Sequence, residues 1–319
     1  MKTLMIVSGG DAPGINTTLA RYSTLASSAG DEVVGAVGGL PGVLNGDIVP
    51  LPPAVINPFE AQAGTYLASS REPVLSRPTA HAEIIAVLEQ HQIDNIILFG
   101  GNGTLHHVLP ILAAWDIPCI GLPVTIDNDV PGTERTLGHD SACNYAIQSV
   151  DGVRATARAL PGRIFMLETL GGYTGFIALA VAYAADAHAV LIPEYEYDDD
   201  WLKKRLMNSI YAHGHALLVI SEGIEAHDSL RTDIPEWTGI RMRDIRLGHG
   251  QRGGTPTHID RMLATQMAYT AHNALKRGQR LGVVVVRNGQ TMLHEGLLNG
   301  FDEPVPDREQ YNLVNGFTG

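Results

Sequence analysis

Lysine is almost missing from this chain of 319 residues: Lys2, Lys203, Lys204 and Lys276 are all there are, and none lies between Lys2 and Lys203. The 22 basic side chains are therefore mostly arginine, and 34 acids outnumber them for a net charge of -12. That balance argues against a broad nucleic-acid or anionic-membrane surface. It leaves room for a small phosphorylated ligand, which needs only a local cluster of cations, and Arg241, Arg243, Arg246 and Arg252 form one. Cysteine is just as scarce. Cys119 and Cys143 stand in apolar or helical context without metal-ligand spacing, which predicts buried thiols in a reducing compartment. No apolar run reaches membrane-spanning length, and the first eight residues read as a strand instead of a signal peptide. The expected location is the cytoplasm, with no nucleic-acid or membrane partner.

What is present is glycine at 35 residues and proline at 18, enough to build many tight loops, in a chain with 45% hydrophobic and 18% charged residues. This is the profile of a soluble globular enzyme of one or two domains. Leu4–Val7 reads as a strand, Ser8–Gly14 as a glycine turn and Ile15–Ala26 as a helix. Strand, glycine turn and helix together point backbone amides at a phosphate. Further strands are expected over Glu32–Gly38, Asn95–Phe99, Cys119–Leu122, Arg163–Leu167, Ala189–Ile192, His215–Ser221 and, last, Leu281–Val286. Helices are expected over 81–90, 141–158, 176–187, 201–213 and 259–277, and Gly38–Gly42 as a loop. Gly100–Thr104 is a second phosphate-loop candidate opening into a helix that Pro110 should kink or leave with a short first segment. The acidic run Glu194–Asp200 is expected to face solvent. Alternating strands and helices predict parallel sheets with right-handed crossovers, binding ligands beyond the strands' carboxyl ends.

The stretch Pro123–Asp140, PVTIDNDVPGTERTLGHD, concentrates the chemistry. In an extended segment Thr125, Asp127 and Asp129 would share one face. A hydroxyl beside two carboxylates is costly unless a cation or a proton transfer uses them; the plain alternative is a polar turn before a helix.

GGDAPGIN, AGTYLASSR, GGNGT, TIDND, SEGI and LGHGQRGG occur in that order along nearly the whole chain, and together they resemble the phosphofructokinase family. The resemblance implies two similar three-layer α/β domains, with the active site in the cleft between them. Residues 1–138 plus about 252–300 would bind the donor phosphates, and 139–251 plus the C-terminal segment the sugar phosphate. It implies phosphoryl transfer from ATP, with Mg2+, to the 1-hydroxyl of fructose 6-phosphate. Asp127 would be the general base, Thr125 would position the phosphoryl group, and Asp129 would hold magnesium. Gly10 and Arg71 would contact the donor phosphates with Asn102, Gly103 and Thr104, and Arg71 would neutralise charge in the transition state. Gly171, Glu222, His249 and Arg252 would hold the sugar phosphate, with Arg163 and Arg243 reaching it from a neighbouring subunit. A homo-oligomer, tetramer or dimer, follows.

Several positions depart from the family pattern. Asn102 stands where an acid ligates magnesium, and an amide there brings no charge. Gly103 accompanies ATP use, but Val124 fits neither donor class; Leu40 and His107 replace residues near the adenine. The lysine that accompanies diphosphate use is absent. Gly172 replaces an arginine facing the phosphoryl group, a loss worth on the order of 10²–10³ in rate. Ala20, Ser23, Thr24, Tyr211, His213 and His188, with Arg154, stand where related enzymes carry a nucleotide effector pocket, so that regulation is expected to be weak or absent. Two alternatives stay open: a diphosphate-dependent phosphotransferase, and a catalytically weakened paralogue that binds sugar phosphate or nucleotide.

Overall fold

The computed structural model describes residues 1–71, 74–77 and 79–317. Its strands are β1 (Lys2–Val7), β2 (Glu32–Ala36), β3 (Ile48–Pro50), β4 (Asn95–Gly100), β5 (Cys119–Thr125), β6 (Leu137–Gly138), β7 (Arg163–Thr169), β8 (Ala189–Leu191), β9 (His215–Ser221), β10 (Met242–Arg246), β11 (Leu281–Arg287) and β12 (Gln290–Glu295). The chain divides into two compact units, Met1–Ser141 with Thr255–Pro304, and Ala142–Gly254 with the segment from Val305.

The first unit holds a mixed sheet ordered β12-β11-β5-β4-β1-β2-β3, with the short β6 paired to the end of β5. The pairs from β11 to β2 are parallel; the outer strands β12 and β3 return antiparallel. Alternation along each strand makes two apolar faces. Leu4, Ile6, Ile96, Leu98, Val283 and Val285 pack with Ile84, Leu88, Leu105 and Leu109 from helices on one side. On the other side the helices Ile15–Ser28 and His258–Lys276 pack on each other. β4 is buried at every position, which only a strand covered on both faces can be.

The second unit is a four-stranded, wholly parallel sheet ordered β10-β7-β9-β8. Ile164, Met166, Leu218 and Ile220 face Leu202 and Leu206 of the helix Asp199–His213 and Ile234 of Leu230–Thr238. The helices Phe176–Ala184 and Arg308–Asn315 pack together against β8.

The sequence expectations differ from the structure at identifiable places. Leu281–Val286 is not the last strand, because β12 folds back on it through Asn288 and Gly289, both left-handed. The stretch from Gly38 is not a loop: Gly39–Asn45 is a helix between left-handed Gly38 and Gly46, formed because Leu40 and Val43 bury in the core. The helix after Gly101 does break, into Asn102–His107 and Leu109–Ala113, with Pro110 in the first turn of the second, where its missing N–H is not needed. The acidic run is not uniformly solvated. Asp198 caps its helix by accepting from Trp201 N at 2.8 Å, while Glu194 turns inward to accept from Gly175 N at 2.9 Å. Cys119 is buried and Cys143 half-buried, neither of them in a disulfide. No helix among the described residues is long and apolar enough to cross a membrane.

Candidate active site

The glycine turns and the acidic segment of the first unit emerge at the carboxyl ends of three neighbouring strands, β1, β4 and β5. Backbone contacts tie them into one surface. Ser8 N donates to Phe99 O at 2.9 Å and Gly9 N to Ser70 O at 3.0 Å. Ser69 Oγ donates to Gly9 O at 2.7 Å, and Thr104 Oγ1 to Ser8 O at 3.2 Å. Arg71, exposed, follows Ser70 directly, so this seam carries it to the end of β1 beside Gly10. Gly9 needs its missing side chain, since its φ of 101° is unfavourable for any L residue. A methyl group at Gly101 would lie 3.3 Å from Thr125 Cβ, whereas one at Gly103 would meet nothing within 4 Å. Gly103 therefore borders open space at the place where a donor phosphate is expected.

β5 runs on through Thr125, beyond the expected Leu122, and delivers that threonine to the strand's mouth. Thr125, Asp127 and Asp129 do not share an extended face. Asn128 is left-handed at φ 58°, which breaks the alternation between Asp127 and Asp129. A turn brings the groups together instead. Asp127 N donates to Thr125 Oγ1, and that hydroxyl donates to Asp127 Oδ2, both at 3.2 Å. Asn128 is fastened across the loop between β5 and β6, accepting from Thr136 N at 2.8 Å and donating to Glu134 O at 3.3 Å. Asp129, the second acid of the segment, has its Oδ1 buried and without a hydrogen bond. Burial first, then the neighbouring Asp127 and Glu303 carboxylates, push its pKa up to about 6. Below this turn His139 Nδ1–H donates to Ile126 O at 2.8 Å, and burial lowers the pKa of its ring. Asp260, itself buried, accepts from Gly138 N at 3.0 Å and Ser141 N at 2.8 Å, clamping the following turn.

Asn102, expected beside the donor phosphates, has its amide held at both ends. Its Oδ1 accepts from His106 Nδ1 at 2.8 Å and its Nδ2 donates to Glu303 Oε2 at 3.1 Å, so both ends of the amide are engaged. Among the described residues no three His, Cys, Asp or Glu side chains converge into a metal cage. Magnesium bound through one or two carboxylates and substrate phosphates does not require one. The buried, unbonded Asp129 Oδ1 fits such an ion.

In the second unit Glu222 follows β9 directly. Its Oε1 accepts from Gly171 N at 3.1 Å and Gly172 N at 2.9 Å, at the carboxyl end of β7. Gly172 is left-handed at φ 59°, a backbone that any side chain at this position would strain. The missing arginine is thus built into the local turn. Gln251, fully buried, accepts from Leu170 N at 2.8 Å and donates to Ala142 O at 3.2 Å. It locks the 3-10 turn Gly248–Arg252, with exposed His249 and half-buried Arg252, beside the Gly171 turn. Arg163 and Arg243 lie elsewhere. Arg163 opens β7 and Arg243 pairs with Phe165, so both sit on one face near the strands' amino ends. At about 3.3 Å per residue, Arg163 is on the order of 20 Å along the strand from the Gly171 turn. Arg163 Nε is buried without a hydrogen bond, and neither arginine forms an ion pair among the described residues.

Parallel sheets, glycine turns at adjoining carboxyl ends and a Thr–Asp–Asp cluster beside them define a phosphoryl-transfer protein. The chain belongs to the phosphofructokinase family, whose sequence model matches residues 2–275. An ATP-dependent 6-phosphofructokinase of Lactobacillus delbrueckii subsp. bulgaricus is 35% identical over 311 residues, 97% of this chain and 96% of the relative. The phosphofructokinase structure from Saccharomyces cerevisiae superimposes with a TM-score of 0.87 at 22% identity, covering 99% of this chain; the chain spans 46% of that yeast chain. A pyrophosphate-dependent phosphofructokinase from Marinobacter aquaeolei superimposes at 0.82 with 19% identity over 98% of this chain and 91% of its own. The two structural likenesses concern the fold.

Four residues that sequence reasoning passed over organise these sites: Asn128, Gln251, Asp260 and Glu303. An asparagine between two acids is a recognisable left-handed candidate. The other three touch partners 81 to 201 residues away in the chain, beyond any local pattern.

Proposed function

We propose that this protein transfers the terminal phosphoryl group of ATP to the 1-hydroxyl of fructose 6-phosphate, giving ADP and fructose 1,6-bisphosphate. The observation that carries this is the Thr125–Asp127 pair at the mouth of β5, bordered by the Gly9 and Gly101 turns. Asp127 accepts the proton from the sugar's 1-hydroxyl as that oxygen attacks the terminal phosphorus, and the bond to the ADP oxygen breaks. Thr125 positions the phosphoryl group in flight, and Gly10, Gly103, Thr104 and Arg71 receive the donor phosphates. Positioning and charge stabilisation dominate such a transfer. Mg2+, when bound, neutralises the donor's charge, and Asp129 is the residue that would hold it.

Glu222 is oriented by two backbone amides and presents its remaining oxygen to sugar hydroxyls, with His249 and Arg252 at the 6-phosphate. Arg163 and Arg243, turned to the amino ends of their strands, serve the sugar phosphate of a neighbouring subunit, so the active enzyme is a homo-oligomer. Nucleotide regulation at the position of the related effector pocket is weak or absent. There Arg154 donates to the carbonyls of Ala185 and Asp186, Thr24 Oγ1 donates to Ala20 O, and His188 Nδ1 accepts from Leu217 N. Two thiols outside any disulfide suit a reducing cytoplasm.

The test is initial rates with fructose 6-phosphate and Mg2+, with ATP and diphosphate in parallel and Asp127→Ala as control. Faster turnover with ATP, abolished in the variant while the sugar phosphate still binds, is the expected result. Faster turnover with diphosphate overturns the donor assignment. No turnover with either overturns the activity.

A further inference from the structure

The turn that joins β7 to the helix Phe176–Ala184 is fastened on both sides of Tyr173. Before it, Gln251 receives Leu170 N at 2.8 Å, and Glu222 Oε1 receives Gly171 N at 3.1 Å and Gly172 N at 2.9 Å. After it, Thr174 N and the Thr174 hydroxyl both donate to Gly171 O at 3.0 Å. Ser221 Oγ donates to Thr174 O at 2.7 Å, and Glu194 Oε1 receives Gly175 N at 2.9 Å. In the middle of this frame the Tyr173 side chain is 93% exposed, more than any other large apolar or aromatic side chain among the described residues. A ring kept in water forgoes the burial that usually stabilises an aromatic residue. Because the backbone beneath it is pinned from β9, from beyond β8 and from Gln251, the turn itself holds this ring outward.

The turn carries the ring to Glu222. A methyl group at Gly223, the residue after that carboxylate, would lie 2.6 Å from Gly172 O and 3.1 Å from Tyr173 Cα. Only a glycine there lets the turn come so close. Tyr173 is therefore packed through its Cα against the neighbour of Glu222, while Glu222 itself holds the amide of the residue before Tyr173. Gly172 has no side chain to cover a sugar, which leaves Tyr173 as the side chain this turn presents beside the carboxylate. A sugar offers two kinds of surface: a carboxylate suits its hydroxyls, and an aromatic ring suits its carbon skeleton. Resting on the proposed function, we infer that Tyr173 is a further sugar-phosphate contact, its ring packing against the carbon face of the sugar whose hydroxyls Glu222 receives. Both residues belong to the second unit, so the contact is made within that unit.

The test is nitration of the full chain by tetranitromethane, read residue by residue by mass spectrometry, with and without fructose 6-phosphate. Tyr173 should react in the free protein and slow about tenfold when the sugar phosphate is at about ten times its Kd. Tyr211, 80% exposed on the helix Asp199–His213, is the internal control and should react equally in both samples. Removing so exposed a side chain leaves the fold undisturbed. Tyr173→Ala should raise KM for fructose 6-phosphate about tenfold and leave KM for ATP unchanged. Tyr173→Phe keeps the ring and should recover most of that loss. No reaction at Tyr173 in the free chain, equal nitration with and without the sugar phosphate, or an unchanged KM for it in Tyr173→Ala overturns the inference. A wild-type chain that neither binds nor turns over fructose 6-phosphate overturns it through the functional reading, and this is seen before any nitration is compared.

Discussion

Asp129 and Glu168 are both carboxylates near the carboxyl end of a parallel strand, and the protein treats them in opposite ways. Glu168, in β7, is met by Arg231 Nη2 at 2.5 Å and His227 Nδ1 at 3.3 Å. Arg231 also reaches Asp244 at 2.7 Å, and Arg246 continues the network to Asp228 at 3.0 Å. Asp129 is given no ion pair among the described residues, keeps an unbonded buried oxygen, and has its pKa pushed up to about 6. An acid matched to a guanidinium is compensated and costly to strand, whereas a buried acid left unmatched lowers the stability of the fold. The same contrast divides the arginines. Arg231 and Arg246 are occupied by acids, while Arg163 and Arg243 form no ion pair among the described residues.

The strongest way to break this comparison is to remove charge from the reactive cluster. Asp127→Asn should lower kcat by about 10³-fold, the scale of a lost general base, without lowering the melting temperature. Next comes Arg231→Ala, which takes from Glu168 and Asp244 their shortest cationic contacts and leaves them His227 and Arg246 at 3.3 Å. It should reduce stability by about 3 kcal/mol in denaturant unfolding and leave KM for both substrates nearly unchanged. Asp129→Asn should act with the opposite sign. Its carboxyl titrates near 6 in the folded chain and at its ordinary 3.8 when unfolded. The unfolded state therefore ionises first as pH rises, and stability is lost between about 4 and 6 and stays lost above. In metal-free buffer at pH 8 the variant should be more stable by about 2 kcal/mol, and near pH 4 the gain should vanish. Equal melting temperatures at both pH values would remove the distinction between matched and unmatched acids.

The smallest effect is expected at His188. Burial, then His215, His213, Arg154 and Arg205, lower its pKa to about 4, against an ordinary 6.5. The unfolded chain takes up a proton first as pH falls, so the stability contributed by the neutral ring is lost between about 6.5 and 4. Because the ring is partly exposed, the change is about 1 kcal/mol. His188→Gln keeps an acceptor for Leu217 N and should flatten the stability profile across that window. A profile as steep as wild type would assign the titration to other groups.

The sequence alone determined whatever is written in contiguous residues. Apolar runs such as Asn95–Phe99 and His215–Ser221 specify strands through burial on both faces, and Pro110 specifies a broken helix. Glycine turns after strands specify where ligands approach, and the order of motifs specified the family. Tertiary structure decided what depends on residues far apart. Whether Asp129 would have a cationic partner depends on which side chains pack around it, and Arg231, not Asp129, shows where the fold spends its guanidinium groups. That Asn102 is turned to Glu303, that Gln251 steadies the Gly171 turn, and that Arg163 lies a strand's length from Glu222 follow from chain crossings that no local pattern encodes. Edge strands such as β12 were missed for a related reason: half-exposed and antiparallel, they carry weak apolar patterning and are stabilised by the strand beside them.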